Sequence, residues 1–384
     1  MPEKKLTIVG GNHDCLSVPM TVELEAPGSF ESIKLVDASS KVPLPCQWEQ
    51  VDETVRLSWI INGLESGQRK EYNVIFSDEA IKSEGSQVIV KTVDDGRLDI
   101  EIDGNFFTSY YYGEEVIRPY LHPVIGPYGK SVTRGYPMVT DVPGENTDHQ
   151  HHRAIYVAHG EVNKVDNWSE SENCGRIVHR SFDVVSSGPI YGHIIDRLDW
   201  VSNQGELVLK EVREWKFYNV SPSKIVDLNL TFTAPDDTDV VFGDTKEGGL
   251  LSLRVAGTMK VSSGGKMENS FGGVNELEVW GKRAHWCDYS GPVDNQWVGV
   301  ALFDHPKNLR HPTYWHARNY GLMTANPFGI ATFEGDPSRN GDYTLSAGTE
   351  LKCRYRIYIH KGDAREGKVA EKYHNYINPP KVQV

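Results

Sequence analysis

The densest chemistry in the sequence lies at residues 148–153, DHQHHR, where Asp148, His149, His151, His152 and Arg153 stand almost side by side. Imidazole titrates near neutral pH, so such a cluster can shuttle protons. Neutral imidazole also ligates zinc, iron, copper or nickel. On a strand, His149 and His151 would share a face while His152 points away. A His-bound divalent metal would then need a third ligand from His122, His159 or elsewhere. No cofactor is required by the sequence, and proton transfer is the simpler use of the cluster.

The cluster sits inside a longer stretch, residues 118–168, which holds five of the 14 histidines together with Arg118, Arg134 and Trp168. Glycine and proline punctuate it as loop rather than regular structure, and long irregular segments in compact domains usually carry a function. In RPYLHP, prolines on both sides stiffen the backbone that presents His122. Downstream, GDTKEGG places Lys246 and Glu247 between glycines. The following LLSLRVAG interrupts an apolar run with Arg254, and a buried arginine demands a carboxylate or an anionic ligand. Residues 285–328 then mix Asp288, Asn308, His316, Arg318, Tyr320 and Asn326 with tryptophans. Flat rings beside planar polar groups suit sugar recognition, the rings covering the C–H face while the polar groups bond the hydroxyls.

These residues must be positioned by strands. Short alternating runs (KLTIVG, MTVELEA, SIKLVDA, VRLSWII, KEYNVIF) separated by PG, NG and SG turns predict antiparallel strands, and an N-terminal β-sandwich over residues 1–86. The polar stretch 77–86 reads as a linker. From 87 to 384, further runs of eight to sixteen residues predict a large antiparallel supersandwich, making the whole chain all-β. One helix is expected near the end, in DAREGKVAEKYHNYI, opened by Asp363 and stopped by Pro379 and Pro380. A formal charge of −13 argues against nucleic acid or an anionic membrane as partner. No apolar run is long enough for a span. The N-terminus lacks the apolar core of a secretory signal, and five scattered cysteines without a CxxC pair suggest a reducing, cytoplasmic setting, or a periplasmic one where a signal has been removed. The oligomeric state is not legible.

The stretches RPYLHPVIGPYG, TRGYPM, DHQHHRAIYVAHGEVNKVDNW, GDTKEGGLLSLRVAG and WHARNYGLMTANPFG resemble the bacterial family of "methane oxygenase PmoA" proteins, over roughly residues 90 to 378. That name implies a copper-containing membrane oxygenase, whereas no span is present here. The resemblance implies a protein of polysaccharide-utilisation gene clusters, some of which dehydrate oligosaccharides of ulvan type. It also implies a fold similar to galactose mutarotases and polysaccharide lyases.

Taken together, these features predict an enzyme acting on uronate-containing oligosaccharides by elimination. Elimination beside a carboxylate needs a base, an acid for the departing oxygen, and cations for the developing charge. His122, His149, His151 and His152 are the candidate bases, with Tyr136 or Glu247 as acid. Arg118, Arg153, Lys246 and Arg254 would neutralise the uronate. Arg134, His159, Trp168, Asp288, Asn308, His316, Arg318 and Asn326 would complete the cleft. A hydrolase would instead pair Glu247 with a second carboxylate such as Asp288; an epimerase or a non-catalytic sugar-binding protein are further alternatives.

Overall fold

The computed structural model describes residues 2–80, 85 and 87–384, so half of the expected linker falls outside the described residues. The described residues form five sheets. In the first, Glu3–Val9, Ser32–Asp37 and Arg69–Ser77 pair antiparallel; in a second, three-stranded sheet, Cys15–Glu25 pairs with Thr54–Leu64. Alternation decides which face is buried: Val18, Met20 and Leu24 turn inward while Thr21, Glu23 and Glu25 face out. The inward residues meet Leu6, Leu35, Leu57, Trp59 and Val74 in one core, giving the expected N-terminal sandwich. The last strand, Lys381–Gln383, returns to this sandwich and pairs with Glu3–Val9. Nothing in its sequence announces that long-range pairing.

The larger body packs a nine-stranded sheet on an eight-stranded one. The runs read from the sequence appear in order as Arg176–Ser186, Tyr191–Val201, Leu207–Tyr218 and Lys224–Thr233, each antiparallel to the next. Leu121, Ile155, Val157, Leu251, Leu253, Trp315, Ala317 and Met323 point from one sheet into a core shared with Ile194, Trp200, Trp215, Leu228 and Ile357 of the other. Each fully buried Leu, Ile, Val or Met among them contributes roughly 1.5–3 kcal/mol over exposure. A polar network crosses this interior. Glu211 binds Arg213 at 2.6 Å and the Trp200 indole at 2.7 Å, and Arg213 donates to the Pro119 carbonyl at 3.3 Å. That bond ties the start of the strand Tyr120–His122 to the opposite sheet.

The same alternation exposes a second face of the nine-stranded sheet. Tyr111 pairs with Tyr120, Tyr120 with Tyr156, Tyr156 with Ser252, Ser252 with Thr324, and Thr324 with His316. Directly opposed residues share a face, so these six stand in one row across five neighbouring pairings. Arg254 and Arg318 flank the row, both opposite Leu322. The face away from the core is therefore polar and aromatic, and the row is buried except at Tyr111. The long loop residues fold over it.

The C-terminal helix is Val369–Ile377, shorter than the sequence suggests. Asp363 does not cap it: its carboxylate accepts from the backbone N–H of Arg365 and Glu366, both at 3.0 Å, and so closes a preceding turn. The helix starts only after Lys368, whose φ is 53°. No helix among the described residues is long and apolar enough to cross a membrane. All five cysteines are free.

Candidate functional site

The DHQHHR segment is not a strand. His152 donates its backbone N–H to the His149 carbonyl at 3.0 Å, closing a turn, and His149 adopts a φ of 46°. The turn reverses the expected grouping of rings. His149 stacks on His152 (4.9 Å between centroids, 7° between planes) and on Tyr320 (5.0 Å, 12°), while His151 meets His152 edge-on at 4.3 Å. Trp168 closes the back of the cluster, 5.9 Å from His151 and 5.6 Å from His152.

Three buried arginines hold this turn from beneath. Arg118, fully buried, donates to the carbonyls of His151 (3.1 Å), Trp168 (2.7 Å) and Ser169 (3.1 Å) and reaches Glu170 at 3.3 Å. Arg134 donates to the carbonyls of Asp148 and His149 and to the Asp148 carboxylate, at 2.9, 2.8 and 2.9 Å. Arg254 places one N–H on that same carboxylate oxygen at 2.9 Å and another on His152 Nδ1 at 3.0 Å, and its guanidinium lies 4.5 Å above the Tyr320 ring. The carboxylate that a buried Arg254 demands is thus Asp148. Arg153 forms a bidentate pair with Glu170 at 2.6 and 2.7 Å. Arg118, Arg153 and Arg254 are therefore committed to the loop, not free for a uronate as the sequence suggested, and Arg134, expected in the cleft, is committed with them. A long irregular segment must satisfy its carbonyls somewhere, and guanidinium groups supply the donors.

Protonation states follow from these partners. A guanidinium only donates, so His152 accepts at Nδ1 and carries its proton on Nε2. Burial, then the neighbouring His151 and Arg254, holds it well below the ordinary imidazole value. His151 is lowered to about 4 by burial, then by Arg118 and His149. Burial opposes ionisation of Asp148, but Arg254, His149 and Arg134 outweigh it and keep the carboxyl below its usual range. Burial and then Arg134 pull Arg254 down to about 10. Asp148 lies 3.3 Å from His149 Nδ1. His149 itself is exposed, so an imidazole beside a carboxylate stands open to solvent.

Opposite this turn stands the loop before Gly248–Arg254. Lys246 Nζ meets Glu247 Oε1 at 2.6 Å, both side chains nearly half-exposed. Burial would raise the Glu247 carboxyl, yet Lys246, then His316 and His151, hold it low and ionised. His316 lies beneath, lowered to about 4 by burial despite the pull of Glu247. Two residues taken for ligand groups instead hold this loop. His159 Nε2 donates to the Gly243 carbonyl at 2.9 Å; Asn326 donates to the Thr245 carbonyl at 2.8 Å and accepts from Phe328 and Gly329. The glycines are there for close approach: a Cβ on Gly248 would lie 2.3 Å from His159 Nδ1, and one on Gly160 2.3 Å from the Glu247 carbonyl. Gly248→Ala is expected to cost about 1–3 kcal/mol by overpacking, read as a lower denaturation midpoint with an unchanged slope.

Other expected members lie elsewhere. Asp288 is on the eight-stranded sheet, fully buried and 2.8 Å from His360 Nε2. Its strand partner Ala301 packs in the cluster under the C-terminal helix, on the face away from the site. Asn308 brackets a turn, bonding Asp304 and the Arg354 carbonyl at 2.7 Å each. Arg318 pairs with Glu276 at 2.9 Å at the rim, 5.5 Å from Tyr320. The backbone N–H of Tyr136 is held by Glu145, and its ring lies 5.3 Å from Arg134, outside the stacked cluster. His122 lies in a separate cavity, and burial alone lowers it to about 4. Among the described residues, no three His, Cys, Asp or Glu side chains gather as a metal would need. Tyr320, read beforehand only as one ring among many, turns out to cover the cluster; Glu170, which anchors two arginines, carried no signal beyond its position in the loop.

The buried imidazoles predict acid sensitivity. His122, His151, His159, His305 and His316 are each lowered to about 4 from 6.5. Below that ordinary value the unfolded chain binds protons that the folded rings refuse. Their contribution is complete above pH 6.5 and is lost as pH falls towards 4. His360 has the opposite sign, since Asp288 holds it above the ordinary value despite burial, and one group does not offset five. Unfolding midpoints measured at constant salt should fall steeply across this window; a flat profile would contradict these environments.

Fold and site together define an all-β sandwich protein with an imidazole, carboxylate and lysine cluster on the polar face of its larger sheet. Residues 97–374 match the family of unknown function DUF6807, and the chain belongs to it. No curated protein matches the sequence. The chain is similar over its full length to an alpha-mannosidase from Enterococcus faecalis V583, at 10% identity and a TM-score of 0.44, covering 46% of that chain. It is also similar to a protein in glycosyl hydrolase family 38 from Enterococcus faecalis, at 9% identity and a TM-score of 0.42, with 99% of this chain and 47% of that one covered. The chain spans about half the length of both, and likeness this distant transfers nothing to it.

Proposed function

We propose that the protein is a carbohydrate-active enzyme that acts on uronate-containing oligosaccharides by elimination, as a dehydratase or lyase. The observation that carries this reading is the solvent-open His149, beside Asp148 and stacked on Tyr320, in a cluster whose His151 interacts with the ionised Glu247 beside Lys246. His149 takes the proton α to the uronate carboxylate. That electron pair becomes the new C=C bond as the C–O bond at the neighbouring carbon breaks. Tyr320, which burial keeps protonated up to about 12, gives its proton to the departing oxygen. Lys246 balances the charge of the carboxylate and its enolate. Glu247, being ionised, is no acid in this scheme; it pairs Lys246 and draws on His151. His152 is excluded as base because Nδ1 is already bonded to Arg254.

The same geometry weighs against a two-carboxylate hydrolase. Asp288 is on another sheet, Asp148 is clamped by two arginines, and Glu170 is spent on Arg153. The reading keeps the direction of the PmoA-named resemblance. Mass spectrometry of products from uronate oligosaccharides tests it: elimination gives a dehydrated end or cleavage without uptake of water. Products each carrying an added water overturn it.

A further inference from the structure

The turn that carries Tyr320 is held from outside the acid–base cluster by one carboxylate, that of Glu276. Residues 319–321 join the paired strands Tyr314–Arg318 and Leu322–Asn326. The Gly321 N–H closes this turn on the Arg318 carbonyl at 2.9 Å. At its tip the Tyr320 ring stacks on His149, 4.5 Å from the Arg254 guanidinium and 5.5 Å from that of Arg318.

Glu276 lies in the short helix Asn275–Val279 and reaches both residues that precede Tyr320. Its Oε2 accepts from the Asn319 backbone N–H at 2.8 Å, and its Oε1 lies 2.9 Å from Arg318 Nε. In return, the Glu276 backbone N–H donates to Asn319 Oδ1 at 3.1 Å. The Asn319 carbonyl is held as well, accepting from the Tyr289 hydroxyl at 3.0 Å and the Val261 N–H at 3.1 Å. Bonds to a carboxylate are shorter and stronger than neutral ones, so Glu276 supplies the firmest of these ties. The same helix ends against the other half of the site: Trp280, its C-cap, packs 6.4 Å from the ring of His316, which interacts with Glu247.

We propose that Glu276 is a positioning residue, fixing the turn 318–321 so that the Tyr320 hydroxyl meets the departing oxygen. This rests on Tyr320 as the acid of the elimination proposed above. A proton donor serves only an atom within its hydrogen-bond reach. Residues 319–321 have no strand pairing of their own to hold that geometry, so bonds from neighbouring elements must do it. Displacing a reacting group by about 1 Å costs on the order of a hundredfold in rate. The charge of Arg318 is met by Glu276, which makes that arginine part of the same strut.

Two readouts test this, one of them independent of turnover. The ring C–H signals of His149 feel the ring current of the stacked Tyr320, and their loss in His149→Ala identifies them in NMR spectra of the full chain. In Glu276→Ala they should move towards the positions they take in Tyr320→Ala. Glu276→Gln keeps an oxygen for the Asn319 N–H and should leave them near wild type. On uronate oligosaccharides, Glu276→Ala should lower kcat roughly ten- to a hundredfold while KM changes by less than about threefold. Glu276→Gln should restore most of that loss. Unmoved His149 signals in Glu276→Ala overturn the proposal, as does a raised KM with unchanged kcat, or a loss that Glu276→Gln fails to restore. A wild type without elimination would sink the acid–base reading instead, and the His149 signals would still decide whether Glu276 holds Tyr320.

Discussion

Asp148→Asn should lower the unfolding free energy by about 3 kcal/mol, the low end of what breaking a buried ion pair costs. The low end applies because the carboxylate is 36% exposed while its partners Arg134 and Arg254 are 2% and 1% exposed. Asparagine keeps the shape but leaves two buried guanidinium groups facing a neutral amide. It also removes the carboxylate beside His149, so turnover should fall together with stability. Urea denaturation of the variant gives the first number. Pairing it with Arg254→Met in a double-mutant cycle gives the coupling, which should be well above 1 kcal/mol. Additive effects would mean that Asp148 is a surface carboxylate with incidental neighbours.

His149→Ala should reduce turnover by roughly 10²–10⁴, the range for loss of a positioned proton-transfer group, and Glu247→Gln, which strips Lys246 of its partner, by a smaller factor. Both side chains are exposed or nearly half-exposed, so stability should change by less than about 1 kcal/mol. His151→Ala should lose turnover as well, since His151 interacts electrostatically with Glu247. His152→Ala is expected to act differently, because its ring is buried against Arg254 and Trp168, and truncation would destabilise the turn. A steady-state assay alongside a denaturation curve for each variant separates the two classes. Full activity in His149→Ala with intact fold would remove it as the base.

The strands were legible because alternation is a local property: MTVELEA and the four meander runs carry their buried faces in plain sequence. The demand of Arg254 for a carboxylate was legible too, since an arginine inside LLSLRVAG has few physical alternatives. What the sequence hid was set by tertiary contacts. The strand-like reading of DHQHHR paired His149 with His151, whereas a turn stacks His149 on His152. Arginines that look like anion binders are consumed by loop carbonyls, because carbonyl demand depends on where the loop runs. Asp288 shares its composition with the site but belongs to the other sheet, and no local pattern distinguishes a strand of one sheet from a strand of the other.

The most direct test of the acid–base elimination is a continuous ultraviolet assay on uronate oligosaccharides, comparing wild type with His149→Ala and Glu247→Gln. Elimination creates a conjugated unsaturated uronate, so absorbance should rise with wild type, stay near baseline with His149→Ala and rise more slowly with Glu247→Gln. Consumption of substrate by the wild type without any rise in absorbance, or an equal rise in all three proteins, would contradict the account.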